Sequence, residues 1–324
     1  MAGLRWLAAL CLALLVFACG GSGNGQPVAT PDGSFAVGQT SFVFVDTSRP
    51  TAANHGVPEK PSRTLPTVVY YPAAGEPTGG AVAVTGAPPV PGHRFPLIIF
   101  AHGFTAVARV YFAILQAWAG AGYVVAAPDF PLSKGNAEGG PSSGDYINQP
   151  ADESFVIDQV LALNDDAGSL LHGLIDPTRV GASGQSLGGM TTFGIAFNTC
   201  CRDRRLGAAV PMAGQLVPFP GGEYDPEIGP PVLIIHGDAD DTVDYSSALE
   251  AYATVLPPKL LLTHLGGGHI LPYVGNGDAA AVAATIDAST AFFDLYLKNE
   301  RGARERLLAI GTRARVTLQY ELEP

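Results

Sequence analysis

Gly184-Gln185-Ser186-Leu187-Gly188 is a G-x-S-x-G pentapeptide, and its surroundings decide the fold. The residues before it, Asp176-Pro177-Thr178-Arg179-Val180-Gly181-Ala182-Ser183, predict a turn feeding a short strand. The residues after it, Leu187 to Phe197, predict a helix. Strand, sharp turn and helix are the setting in which this pentapeptide forms a nucleophile elbow, with the serine hydroxyl held out beyond the strand. The flanking glycines fit a turn too tight for side chains two positions either side of the serine.

A serine hydroxyl is a weak nucleophile at neutral pH, so a base must take its proton and an acid must orient that base. Both residue types follow downstream. Pro231-Val232-Leu233-Ile234-Ile235-His236-Gly237 predicts a core strand of a parallel sheet. Asp238, Asp240 and Asp241 come directly after it, on the rim where the serine is expected, and position alone leaves all three open as the acid. Lys259 to Leu265 predicts the next strand, which leads into Gly266-Gly267-Gly268-His269. His269, on a glycine-rich loop, is the expected general base; His264 falls within the strand pattern and is expected to be a strand-end histidine.

Negative charge developing on a substrate oxygen needs backbone N–H donors. One is expected from Leu187, the residue after the serine, and the other from the loop that follows the strand Pro96 to Ala101. That loop is His102-Gly103-Phe104-Thr105-Ala106. Phe104 is the candidate donor, and His102 is expected to brace the loop.

Strand and helix patterns alternate along the chain. Strands are predicted at 41–45, 67–71, 97–101, 123–127, 180–183, 208–212, 233–236 and 260–264, and helices at 107–119, 152–163, 187–197 and 279–297. Residues 46–66 and 72–95 are rich in Pro, Gly and Thr and predict surface loops. Residues 316–322 could add an edge strand. This alternation predicts an α/β fold with a mostly parallel central sheet and helices on both faces. Fewer than twenty Pro- and Gly-rich residues separate Met212 from Pro231, too few for a large lid domain, so the site is expected to be open or shaded only by loops such as 132–148.

The chain has 324 residues, of which 47% are hydrophobic and 15% charged, with a net charge of −11. That argues for a well-buried core and against nucleic acid as a partner. Residues 1–18 carry one positive charge and an apolar run, which reads as a secretory leader. Residues 19–34 begin Cys19-Gly20-Gly21-Ser22-Gly23 and read as a flexible tether, and 35–324 as a single domain. Cys200 and Cys201 are the only cysteines expected in the mature domain, with no histidine near them in sequence to suggest zinc. They are expected to be a local brace, free to form a vicinal disulfide in an oxidising compartment.

On these residues the chain resembles the alpha/beta-hydrolase superfamily, whose triads run in the order Ser, acid, His. Within it the chain resembles exported dienelactone-hydrolase-like esterases and the platelet-activating-factor acetylhydrolase group. His236-Gly237-x-x-Asp240-x-x-Val243 is similar to the H-G-x-x-D-x-x-V motif of the former and implies Asp240 as the acid. Asp46-Thr47-Ser48-Arg49-Pro50, Tyr70-Tyr71-Pro72 and His102-Gly103-Phe104 are similar to stretches of both groups. Gly103-Phe104-Thr105-Ala106 resembles the oxyanion loop of bacterial cutinases and polyester hydrolases. Dienelactone hydrolases carry a cysteine where this chain has Ser186. Leu15-Val16-Phe17-Ala18-Cys19 resembles a bacterial lipobox, which implies an exported protein lipidated on Cys19 and held to a membrane by that anchor alone.

The resemblance implies a serine hydrolase of carboxylic esters with Ser186, His269 and Asp240 as its triad. It implies no cofactor and no metal, a small-molecule or polymeric ester as substrate, and a monomer. A polyester or cutin hydrolase is the nearest alternative. A non-catalytic surface lipoprotein is the alternative of another class.

Overall fold

The computed structural model describes residues 35–77 and 82–323. The leader, Cys19 and the tether lie outside the described residues. The chain runs β1 (Ala36–Asp46), β2 (Arg63–Ala73), β3 (Val84–Thr85), β4 (Phe95–Ala101), α1 (Phe112–Gly120), β5 (Val124–Pro128) and α2 (Gln149–Asp165). It continues through β6 (Ile175–Gln185), α3 (Leu187–Phe197), β7 (Leu206–Met212), β8 (Val232–Gly237), α4 (Ser246–Thr254), β9 (Lys259–His264), α5 (Ala279–Phe293), α6 (Ala303–Ile310) and β10 (Val316–Glu321).

These strands form one sheet in the order β10-β9-β8-β7-β6-β4-β5-β2-β1-β3. The six strands from β9 to β5 pair in parallel. Antiparallel β10 flanks them on one side and the antiparallel β1–β2 hairpin on the other. Side chains alternate across each parallel strand and enter two separate cores. Ile98 and Phe100 of β4, Leu233 and Ile235 of β8, and Leu260 and Leu262 of β9 pack with α1, α5 and α6. Leu97 and Ile99, Val232 and Ile234, and Leu261 pack on the opposite face with α2, α3 and α4. Both faces being covered explains the nearly unbroken apolar runs of β4, β8 and β9.

The register places the functional loops on one rim. Ala101 of β4 pairs with Gly184 of β6, Gln185 with Met212 of β7, and Gly237 of β8 with His264 of β9. The loops after β4, β6, β8 and β9 therefore leave the sheet on the same rim, with β7 between β6 and β8, at the carboxyl ends where open α/β sheets place their sites.

The structure departs from the sequence expectations mainly in extent. β2 runs through Pro66 and Pro72, both outside the four residues that pair with β5, so neither proline interrupts that ladder. The helix expected at 107–119 opens as a tight 3₁₀ turn, Ala108–Tyr111, before α1. The helix expected at 279–297 is α5 followed by a wider π turn, Asp294–Lys298. α4 and α6 were not anticipated, and the tail, which could add an edge strand, does so as β10, paired antiparallel with β9. No helix occupies residues 213–231, so no lid domain stands there. Instead Tyr146 reaches across from the 129–148 segment, donating its hydroxyl to the Pro218 carbonyl at 2.6 Å and packing edge-on against Phe219.

A buried ion network fastens the hairpin to α2. Arg63 is fully buried and donates to both carboxylate oxygens of Asp152, at 2.7 and 2.6 Å, and to both of Asp145, at 3.1 and 2.8 Å. Arg49 bridges Asp46 and Asp152. Two-toothed geometry of this kind offsets the desolvation of buried charges. It also gives the Asp46-Thr47-Ser48-Arg49-Pro50 stretch a structural role.

Glu153, the next residue of α2, is also fully buried, yet neither of its carboxyl oxygens has a hydrogen-bond partner. Burial first, then the neighbouring Asp152 and Asp203, push its pKa well above the usual 4.5. Below that value the carboxyl is protonated whether the chain is folded or not, and it leaves stability unchanged. Above it only the unfolded chain readily gives up the proton, so stability falls as pH rises. Glu153→Gln is expected to raise the thermal midpoint by at least about 2 °C at about pH 8 and by little at about pH 4.5. Thermal unfolding at both pH values checks this; a gap that does not widen with pH contradicts a carboxyl held protonated.

Candidate active site

β6 ends at Gln185, α3 begins at Leu187, and Ser186 makes the turn between them with φ 58° and ψ −118°. A serine at positive φ carries strain of about 1–3 kcal/mol and is held there by its surroundings. The Ser186 N–H donates to the Met212 carbonyl at 2.9 Å, and the Ser186 carbonyl accepts from Met190 N–H at 2.9 Å. The two flanking glycines are obligatory for space. A side chain at Gly188 would strike the Ala101 carbonyl oxygen, and one at Gly184 would strike the Gly188 backbone.

Asp240 lies just past β8 and is 9% exposed. Its Oδ1 accepts the N–H groups of Thr242 and Val243 at 2.9 and 2.8 Å, which fix the orientation of the carboxyl group. Its Oδ2 faces His269 Nδ1 at 2.7 Å. His236 stands on the other side, its Nε2 at 2.9 Å from the Val243 carbonyl and 3.2 Å from the same Oδ2. A carbonyl can only accept, so Nε2 carries the proton. Burial pushes the His236 pKa down, which keeps the ring neutral beside the acid. Of the alternative acids, Asp238 is exposed and accepts the Gly266 N–H, tying the two loops together. Asp241 is exposed and accepts the Thr242 hydroxyl at 3.3 Å.

His269 follows the Gly266-Gly267-Gly268 turn and is 7% exposed. Its Nε2 lies 2.8 Å from Ser186 Oγ, so the ring bridges serine and carboxylate. With Nδ1 protonated toward Asp240, Nε2 is free to accept from the hydroxyl. His264 is buried at the end of β9, where its Nε2 meets Thr285 Oγ1 at 2.9 Å and burial pushes its pKa down to about 4. His102 lies under the loop after β4, with Nδ1 2.8 Å from the Gly103 carbonyl and Nε2 accepting the Phe130 N–H at 3.0 Å. Neither histidine is brought to the serine.

In the loop after β4, the Gly103 N–H donates to the Tyr111 hydroxyl at 3.1 Å and the Thr105 N–H to the Ser133 carbonyl at 2.8 Å. Phe104 lies between these two anchored residues and is 40% exposed. Leu187 is the first residue of α3. Gln185 also joins the site, its Nε2 donating to the His269 carbonyl at 2.8 Å. Sequence reasoning did not single out Gln185, Tyr111 or the contact of His236 with the acid; for His236 the signal was present in the H-G-x-x-D motif.

Among the described residues, no group of three His, Cys, Asp or Glu side chains is arranged to hold a metal. Cys200 and Cys201 form a vicinal disulfide just past α3. A cavity of about 370 Å³ lies behind the His269 loop, lined by Gly266, Leu271, Ala284 and Arg315 among others, and Ser186 is not in its wall.

The chlorophyllase family matches residues 75–239, just over half of the chain. The matched span carries the elbow and ends one residue before Asp240, so Asp240 and His269 lie beyond it. A ferulic acid esterase from Streptomyces cinnamoneus has a similar structure, with a TM-score of 0.63 and 22% identity. The likeness covers 91% of this chain and 99% of that one, and at this identity it speaks for the fold. A comparison with curated proteins finds no match. Together the findings support a hydrolase acting on esters with the alpha/beta-hydrolase fold. The chain belongs to the chlorophyllase family.

Proposed function

We propose that this protein hydrolyses carboxylic esters through an acyl-enzyme formed on Ser186. The observation that carries the reading is the unbroken contact from Ser186 Oγ to His269 Nε2, at 2.8 Å, and from His269 Nδ1 to Asp240 Oδ2, at 2.7 Å. His269 takes the hydroxyl proton as Oγ attacks the ester carbonyl, and Asp240 stabilises the imidazolium that forms. The imidazolium then protonates the departing alkoxide. Water, deprotonated by the same ring, attacks the acyl-enzyme and releases the acid. The N–H groups of Phe104 and Leu187 serve as oxyanion donors. Their placement next to the serine supports this: Gly188 abuts Ala101 and His102, and Gly103 abuts Gln185. The site residues supply all of this chemistry without a metal or organic cofactor.

A polymeric ester is a second reading. It is favoured by exposed apolar side chains beside the base and in the loop after β4: Ile270 at 47%, Leu271 at 57% and Phe104 at 40%. Export and lipidation at Cys19 belong to the same proposal, which places a monomeric domain outside the cytoplasm. The Cys200–Cys201 disulfide fits an oxidising compartment.

Hydrolysis of p-nitrophenyl esters from acetate to palmitate tests the chemistry. Ser186→Ala is expected to lose at least about a thousandfold in kcat/KM, and Asp240→Asn on the order of 10⁴-fold in kcat. A folded wild type that hydrolyses none of these esters and does not react with a fluorophosphonate would move the weight to a non-catalytic surface lipoprotein. Release of soluble acid from a polyester film, compared with turnover of the soluble esters, separates the polymeric reading.

A further inference from the structure

Two buried polar side chains link the loop that carries the base to the loop that carries Phe104. Gln185 is 1% exposed and ends β6 immediately before the serine. Tyr111 is 2% exposed and ends the 3₁₀ turn ahead of α1, its ring 4.9 Å from that of Phe100. Gln185 Nε2 donates to the His269 backbone carbonyl at 2.8 Å, and the Tyr111 hydroxyl donates to Gln185 Oε1 at 2.8 Å. The same hydroxyl accepts the Gly103 N–H at 3.1 Å.

The direction of every bond is fixed by its ends. A carbonyl can only accept and a backbone N–H can only donate. The amide must therefore turn its nitrogen to His269 and its oxygen to Tyr111, and the phenol must donate one way and accept the other. Burial pushes the Tyr111 pKa up, so the phenol keeps the proton it donates. The space is filled as well: a side chain at Gly103 would press on Gln185 Oε1 and the Tyr111 hydroxyl. The chain Gly103–Tyr111–Gln185–His269 thus runs through the residue before Ser186 and joins the loop of His269 to the loop of Phe104.

We propose that Gln185 and Tyr111 are positioning residues that hold His269 and the Gly103-Phe104 loop in a single register around Ser186. This rests on the serine-hydrolase reading. Neither side chain touches the reacting atoms. Each acts by fixing a backbone group, one on the base and one on the residue before the oxyanion donor. A misplacement of about 1 Å in such a constellation lowers rate on the order of 10²-fold.

The test compares wild type, Tyr111→Phe, Gln185→Leu and the double variant on p-nitrophenyl butyrate. Active sites are counted by end-point fluorophosphonate labelling, so that kcat refers to competent sites only. Each single variant is expected to lose about 10–100-fold in kcat per labelled site, with KM within about twofold. Because the two share one chain of bonds, the double variant is expected to fall no further than the worse single variant. A merely structural role would lower the thermal midpoint and leave kcat per labelled site unchanged. Values within about twofold of wild type, loss in one single variant only, or losses that multiply in the double variant would overturn the proposal. If Gln185→Leu does not fold, Tyr111→Phe, which removes one oxygen, decides the question alone. An active, labelled wild type with unaffected variants defeats this inference and spares the serine-hydrolase reading. A wild type neither active nor labelled defeats both.

Discussion

The approach of Gly188 to the carbonyl oxygen of Ala101 holds the start of α3 hard against the end of β4, and Ser186 owes its position to it. With the helix start fixed there, one residue must turn the chain from β6 into α3, and it does so at positive φ. The turn lifts the hydroxyl off the sheet, ties the serine N–H to Met212 on β7 and brings the loop after β4 alongside. A methyl group at residue 188 would force the helix away from β4 and relax the turn. The rest of the rim is arranged about this contact: β8, two strands from β6, leads into Asp240, and β9, the next strand, into His269.

Charge is managed by saturating the acid. Asp240 receives two backbone N–H groups on one oxygen and faces two imidazoles on the other, so its carboxyl group is fixed in rotation. His236 is held neutral by burial and contributes a hydrogen bond without competing for the charge. His269 is thus oriented by Asp240 through its ring and by Gln185 through its backbone. The Arg63 network pins β2 to α2 and to the Asp145 turn, within the 129–148 segment whose Tyr146 meets Pro218 of the 213–231 loop.

Much of this was legible in the sequence because local pattern and global fold agree. The apolar runs of β4, β8 and β9 read as buried strands because both of their faces are covered. The elbow read correctly because its glycines answer a steric demand made by their immediate surroundings. Other parts depend on tertiary neighbours. Pro66 and Pro72 suggested strand ends, but β2 continues where β5 no longer pairs. α4 and α6 are nine and eight residues long, with the charged run Arg304-Glu305-Arg306 facing outward in α6, and too little apolar periodicity for helix prediction. Asp238, Asp240 and Asp241 were separable only through a motif resemblance, since three acids in one short loop differ in where the backbone turns them. The partners of Gln185 and Tyr111 lie 84 and 74 residues away in sequence, which no local pattern can reveal.

The central claim is that ester cleavage passes through a covalent acyl group on Ser186. Rapid mixing with a p-nitrophenyl ester, acid quenching and peptide mass spectrometry test it most directly. The account predicts a burst of p-nitrophenol of about one equivalent per active site. It also predicts an acyl mass increment on the peptide containing Gly184-Gln185-Ser186-Leu187-Gly188, absent from Ser186→Ala. Steady turnover with neither burst nor adduct, or an adduct on a different residue, would contradict it.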